Sequence, residues 1–168
     1  WFGNYLNKNG LNIIKQDAFK INVEFLEKGK FSLVILLSGL SNDPMANFSP
    51  YLNYKYNLHL SSYLLDELSK SRYIKKIIFG SSCSVYGNTL KKKFNETDEI
   101  KVEYPYGISK YLTDCHLNLI SKYNKKIKFF SLRQGTVSGY SPRMRFDLVI
   151  NKMTRDAMFT KKISVYDM

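Results

Sequence analysis

The chain has 168 residues, 44% hydrophobic and 15% aromatic, with a formal net charge of +12. That length suits one domain with its own core rather than two, and the apolar content excludes the charge-rich composition of disorder. No apolar run approaches the roughly 20 residues of a membrane helix, and no charged-then-apolar signal opens the chain, so a soluble, cytoplasmic protein with no membrane partner is expected.

Short apolar runs rich in β-branched residues alternate with longer helical patterns, the mark of βαβ units and a parallel sheet. In chain order, 11–17 (LNIIKQD) predicts a strand, 20–28 a helix and 31–38 (FSLVILLS) a strand buried on both faces. A long helix follows over 50–71, then a strand at 74–82 (IKKIIFGSS), a helix at 106–123 and a strand at 126–133 (KIKFFSLR). A helix at 146–159 leads to a short strand candidate, KISVY at 162–166. Right-handed crossovers are expected between the parallel strands.

Lysines are scattered in twos and threes with no long basic tract and no nucleic-acid module, so the charge reads as solvated surface and no nucleic-acid partner is expected. Cys83 and Cys115 fall at a strand end and inside a helix, which predicts reduced, buried thiols, with Cys83 serving packing. His59 and His116 lie in helices without a partner carboxylate at ligand spacing; both read as structural, and no metal is expected.

Ligands of open parallel sheets sit beyond the carboxyl ends of the strands. Four such ends are QDAF at 16, LSGLSNDP at 37, GSSCSVYG at 80 and RQGTVSGYSP at 133, and small or hydroxylic residues cluster at the last three. Just beyond the third lies PYGISK, 105–110, where Tyr106 and Lys110 stand four apart and so share one helix face. Tyr51 and Lys55 have the same spacing but precede the strand that would supply a neighbouring serine.

Ser82 at the third strand end, followed about 24 residues later by the Tyr106–Lys110 pair, resembles the extended short-chain dehydrogenase/reductase family, and within it the NAD-dependent nucleotide-sugar epimerases and dehydratases. The resemblance implies an α/β fold, a Rossmann-like doubly wound parallel sheet in three αβα layers, here partial. It implies Ser82, Tyr106 and Lys110 as catalytic residues. A free tyrosine, with a pKa near 10, is a poor base at neutral pH, but a nearby ammonium and an oxidised nicotinamide favour its phenolate.

For the cofactor, NAD with NADP not excluded, the resemblance implies Asp17 and Ala18 at the adenine. It implies the 37–41 backbone, with Leu37, Ser38, Gly39 and Leu40, along the pyrophosphate and ribose, Asn57 and Gly135 flanking the nicotinamide half, and Ser81, Tyr106 and Lys110 as further cofactor-binding residues. For a nucleotide-sugar substrate it implies Ser82, Cys83, Ser84, Thr136, Arg143 and Arg145. Bland readings stand beside several of these: Asp17 as a cap, Asn57 as a buried amide satisfying backbone, and Arg143 with Arg145 as a solvated pair.

The 168 residues hold no G-x-x-G-x-x-G turn, and they begin with Trp1 and stop at SVYDM. The expectation is a partial NAD-binding domain lacking its first βαβ unit and its carboxyl-terminal substrate lobe, with 136–168 the start of the substrate-binding region. Relatives that eliminate water carry an acidic pair where this chain has Cys83 and Ser84, which disfavours dehydration and favours epimerisation, with a nucleotide-sugar reductase or dehydrogenase, or a 4,6-dehydratase of the same fold, as the alternatives. An inactive nucleotide-binding or interaction module is the non-enzymatic alternative. The helices at 50–71 and 106–123 correspond to the dimer bundle of many relatives, so a homodimer is expected of the intact protein.

Overall fold

The computed structural model describes residues 11–41, 43–88, 93–142 and 144–165. They fall into two compact units, Gln16–Gly135 and a second formed by Thr136 onward with the residues up to Lys15.

The first unit holds a parallel three-stranded sheet in the order β1 (Leu33–Leu36), β2 (Lys76–Ser82), β3 (Lys128–Gln134). β2 ladders on both sides, Leu33 beside Lys76 and Lys76 beside Lys128. Its central place explains why Ile77 and Phe79 are fully buried. Parallel neighbours need crossovers, and helices provide them. Between β1 and β2 run α2 (Asp43–Phe48) and the continuous helix α3, made of α-helical Pro50–Asn53, π-helical Tyr54–His59 and α-helical Leu60–Lys70. The 3-10 turn Cys83–Tyr86 and helix α4 (Pro105–Tyr123) join β2 to β3.

Ahead of β1 come a 3-10 turn, Ala18–Lys20, and α1 (Val23–Gly29), which opens where Asn22 accepts from Phe25 N at 2.9 Å and ends at Lys30 in the left-handed region. Proline at the first positions of α3 and α4 fixes φ where no intrahelical N–H is needed. Leu26 of α1, Leu60, Leu64, Leu65 and Leu68 of α3 and Leu117 of α4 join Leu36, Ile77 and Phe79 in one core. Val34 and Phe129 pack against that core. Leu33, Ile35, Phe130 and Leu132 alternate with these residues and point to the other face, where they stay exposed. In the second unit, α5 (Val149–Thr160) follows Leu148.

The parallel, helix-flanked sheet is the expected class, but several local readings change. The strand in 31–38 is Leu33–Leu36 and is buried on one face rather than both, with Leu33 and Ile35 exposed. Residues 11–17 form no strand, and neither do 162–165, because β-branched content makes a strand only where a ladder partner exists, and no described residue pairs with either. Residue 166 lies outside the described residues. α2 is a helix the hydrophobic period did not announce. Cys83 and Cys115 are free thiols but exposed rather than buried, so Cys83 has no packing role. His116 does have a carboxylate neighbour, Asp66 on α3 at 3.0 Å, brought close by the fold and not by sequence spacing. No group of three or more metal-ligating side chains occurs among the described residues.

Candidate active site

Because the strands run parallel, their carboxyl ends open along one edge, with Ser82 beside Gln134. The segment after β1, the end of β2 and the first turns of α4 meet there. Glycine permits two of the approaches. A Cβ at Gly107 would lie 2.6 Å from Ser84 O, so α4 closes on the turn after β2 only with no side chain at that position. Gly39 has φ +133°, and a Cβ there would sit 2.1 Å from Asn57 Oδ1.

Asn57 stands behind the loop after β1, fully buried. Its Oδ1 accepts from Leu40 N at 2.7 Å and its Nδ2 donates to Asn53 Oδ1 at 2.6 Å. Asn53 Nδ2 donates in turn to Pro105 O at 2.8 Å. Two amides thus tie the loop after β1 to the first residue of α4.

The edge contains a cleft of about 120 Å³ lined by Leu37, Ser38, Gly39, Leu40, Ser41, Gly80, Ser81, Tyr106, Lys110 and Gln134. Larger cavities lie elsewhere: one of about 750 Å³ includes Cys83, Tyr86, Asp114 and Arg133, and one of about 790 Å³ lies between the far ends of α3 and α4. The small cleft is the better candidate, since the ionisable pair and the strand ends converge in it.

Lys110 is 5% exposed, and its Nζ donates to Gly80 O at 2.8 Å. The same nitrogen lies 4.8 Å from the Phe79 ring centroid and 5.7 Å from that of Tyr106. Burial pushes its amine down to about 8, against the pull of Asp114, which favours the charged form. Ser81 is buried and donates to Asp114 Oδ2 at 3.1 Å. Ser82 is buried too, and its Oγ donates to Ser84 Oγ at 3.1 Å and accepts from Ser84 N at 3.2 Å.

Of the expected site residues, Leu37, Ser38, Gly39, Leu40, Ser81, Tyr106 and Lys110 share the cleft. Ser82 and Ser84 follow it at the turn, and Cys83 faces the larger cavity beside it. Asn57 supports the loop from behind, as the buried-amide reading has it. Asp17 caps the first 3-10 turn, its Oδ1 accepting from Phe19 N at 3.1 Å, while Ala18 packs against the core. A Cβ at Gly135 would meet nothing within 4 Å, so no close approach demands glycine there. Arg145 pairs with Asp147 in the second unit, to which Thr136 also belongs. Arg143 lies outside the described residues. Sequence reading missed Gly80 and Gln134 in the cleft and Asn53 and Asp114 behind it; the one available signal was Asp114 standing four residues after Lys110.

The site fits the nicotinamide half of a dinucleotide on its own terms. Ser38 Oγ is buried with no hydrogen-bond partner among the described residues, a group that a bound hydroxyl would satisfy.

A parallel α/β sheet with an ionisable pair at its carboxyl edge has the arrangement at which open α/β folds bind their ligands. The NAD dependent epimerase/dehydratase family matches residues 7–167, and the chain belongs to that family. Over 79 residues it is 33% identical to the UDP-glucose 4-epimerase of Mycoplasma genitalium, a match covering 45% of this chain and 23% of that protein. Its fold is similar to that of a UDP-glucuronic acid 4-epimerase mutant from Bacillus cereus in complex with UDP-4-deoxy-4-fluoro-glucuronic acid and NAD, with a TM-score of 0.77, 18% identity and coverage of 98% of this chain and 52% of that one. The UDP-Glc/GlcNAc 4-epimerase from Campylobacter jejuni gives a TM-score of 0.71 at 22% identity, covering 79% of this chain and 40% of that one. The matches thus span about half or less of these relatives.

Proposed function

We propose that the protein carrying this chain epimerises a nucleotide-diphosphate sugar, a UDP-sugar first among them, with NAD as cofactor. The observation that carries the reading is Tyr106 and Lys110 on one face of α4 at the carboxyl end of β2, with Lys110 Nζ anchored on Gly80 O. Bound NAD would supply a hydride acceptor that later returns the hydride, so that the sugar carbon is oxidised and reduced with no net redox change. Tyr106 takes the proton of the sugar hydroxyl as the carbon is oxidised and gives it back on reduction. Lys110, held as ammonium, favours the phenolate that this step requires and holds the nicotinamide ribose. Ser82 exchanges its bond to Ser84 for one to the reacting oxygen.

Leu37, Ser38, Gly39 and Leu40 line the ribose and pyrophosphate with Ser81 below them, and Asn57 acts through Leu40 N. Asp17 Oδ2, with Ala18 beside it, takes the adenine amine, and Gly135 flanks the nicotinamide. By the family pattern Cys83 and Ser84 belong to the substrate set, as do Thr136, Arg143 and Arg145 of the segment 136–168, which begins the substrate-binding region. With Cys83 and Ser84 in place of an acidic pair, dehydration by the mechanism of relatives that eliminate water is disfavoured. α3 and α4 offer Leu52, Leu112 and Leu119 as exposed apolar residues for a homodimer bundle in the intact, cytoplasmic protein.

Assaying the intact protein on UDP-, dTDP- and GDP-sugars tests this. We expect epimerisation without net conversion of added NADH, and a loss of about a thousandfold in Tyr106→Phe. Activity retained in that variant overturns the reading, and net NAD(P)H consumption assigns a one-way reductase instead.

A further inference from the structure

Asp114 is a buried charge that the reaction as described leaves unused. It sits one turn beyond Lys110 on the face of α4 that carries Tyr106 and Lys110, and it is 2% exposed. A carboxylate at that depth is costly unless donors surround it. Ser81 Oγ donates to Oδ2 at 3.1 Å, Ser131 Oγ to Oδ1 at 2.5 Å, and Arg133 Nε to Oδ2 at 3.3 Å. Ser81 follows Gly80, the residue whose carbonyl receives Lys110 Nζ, while Ser131 and Arg133 come from β3. Arg133 is itself held from behind, its Nη1 2.9 Å from Tyr86 Oη, which donates to Asn95 O at 2.9 Å. The carboxylate is therefore clamped by two strands and cannot swing to follow solvent.

We propose that Asp114 is a positioning residue of the acid/base pair, whose strand-clamped carboxylate keeps Lys110 an ammonium seated on Gly80 O and so keeps Tyr106 able to act. The inference rests on the epimerase reading of the site.

The charges around the lysine decide the sign. On α4 the neighbouring groups are Tyr106 and Asp114; β3 brings Arg133, the turn after β2 brings Cys83 and Tyr86, and the loop after β1 brings none. On α3, Glu67 pairs with Lys70 and Asp66 with His116. Burial alone drives Lys110 toward the neutral amine, and Asp114 is the charge that opposes it. Without Asp114 the burial of Lys110 would be unopposed; Arg133 pairs with the same carboxylate at 3.3 Å and offsets part of its charge, and the lysine, unlike arginine, can lose its proton.

The test titrates Lys110 directly in the chain, by NMR of ¹³Cε-labelled lysine, the resonance being identified by its absence in Lys110→Arg. This readout needs neither cofactor nor turnover, so its outcome is independent of whether the epimerase assay succeeds. We expect the midpoint near 8 in the parent chain, lower by about one pH unit in Asp114→Asn, mostly restored in Asp114→Glu, and raised in Arg133→Gln. Opposite movement in Asp114→Asn and Arg133→Gln is the signature of charge; a loosened core would shift both in the same direction. An unchanged midpoint in Asp114→Asn, or a common direction for the two variants, overturns the proposal. If Asp114→Asn does not fold, Arg133→Gln decides, a rise supporting the proposal and any other result overturning it.

Discussion

Lys110 shows how one side chain carries both the chemistry and a stability cost. Its amine sits near 8 in the folded chain against an ordinary 10.5. Below pH 8 the lysine is charged in both states and the folded chain bears the whole desolvation cost. Between 8 and 10.5 the unfolded chain binds the proton that the folded chain has released, so stability from this group rises with pH, by about 3 kcal/mol in all. Comparing Lys110→Met with the parent by urea unfolding should show the variant's relative stability declining by that order across this window; a difference constant with pH would mean that the lysine is not desolvated. Gly39 is another residue whose identity is forced. Gly39→Ala places a methyl against Asn57 Oδ1 at a positive φ and disrupts the bond to Leu40 N, so a loss of about 1–3 kcal/mol in urea unfolding is expected.

At the scale of elements, the amide pair Asn53–Asn57 joins two segments that carry the site. Both amides lie in the helix that passes from α to π geometry at Tyr54 and back at Leu60, and π turns often mark functional positions. Asn53→Leu would remove the donor to Pro105 O and strand Asn57 Nδ2, while Ser109 Oγ keeps its bond to Tyr106 O at 2.8 Å. The expected cost is about 2 kcal/mol or more, with faster hydrogen exchange at Leu40 N, whose acceptor Asn57 would lose its anchor. Unchanged exchange at Leu40 would show that the pair does not transmit support to the loop. This device was invisible in the sequence. Apolar period announced α3, α4 and the strands β1, β2 and β3, and the spacing of Tyr106 and Lys110 announced the pair, because those signals are local. Asn53 reads as ordinary surface polarity until the π turn and Pro105 make it a buried partner. Residues 11–17 failed in the opposite way: their β-branched pattern is local, but a ladder partner is not.

At the scale of the whole molecule, two opposed features set the behaviour in solution. On the sheet face opposite the core, Leu33, Ile35, Phe130 and Leu132 are 47%, 55%, 44% and 46% exposed among the described residues. Ile35, Ile78 and Phe130 stand in register across the three strands, so this is a contiguous apolar surface of the kind that drives association. Against it stands the net charge of +12, which repels copies of the chain from one another. Charge repulsion is screened beyond about 8 Å at physiological ionic strength, whereas apolar attraction is not weakened by salt. Sedimentation of the 168-residue chain should therefore show more self-association as salt rises. Replacing Ile35 and Leu132 by threonine should suppress that association while leaving the urea midpoint nearly unchanged, since both sites are already exposed. Binding to nucleic acid would respond to salt in the reverse sense, weakening as counterions compete. Association that fell with salt, or that survived the double replacement, would place the interacting surface on the lysines or on the helices instead of the open sheet face.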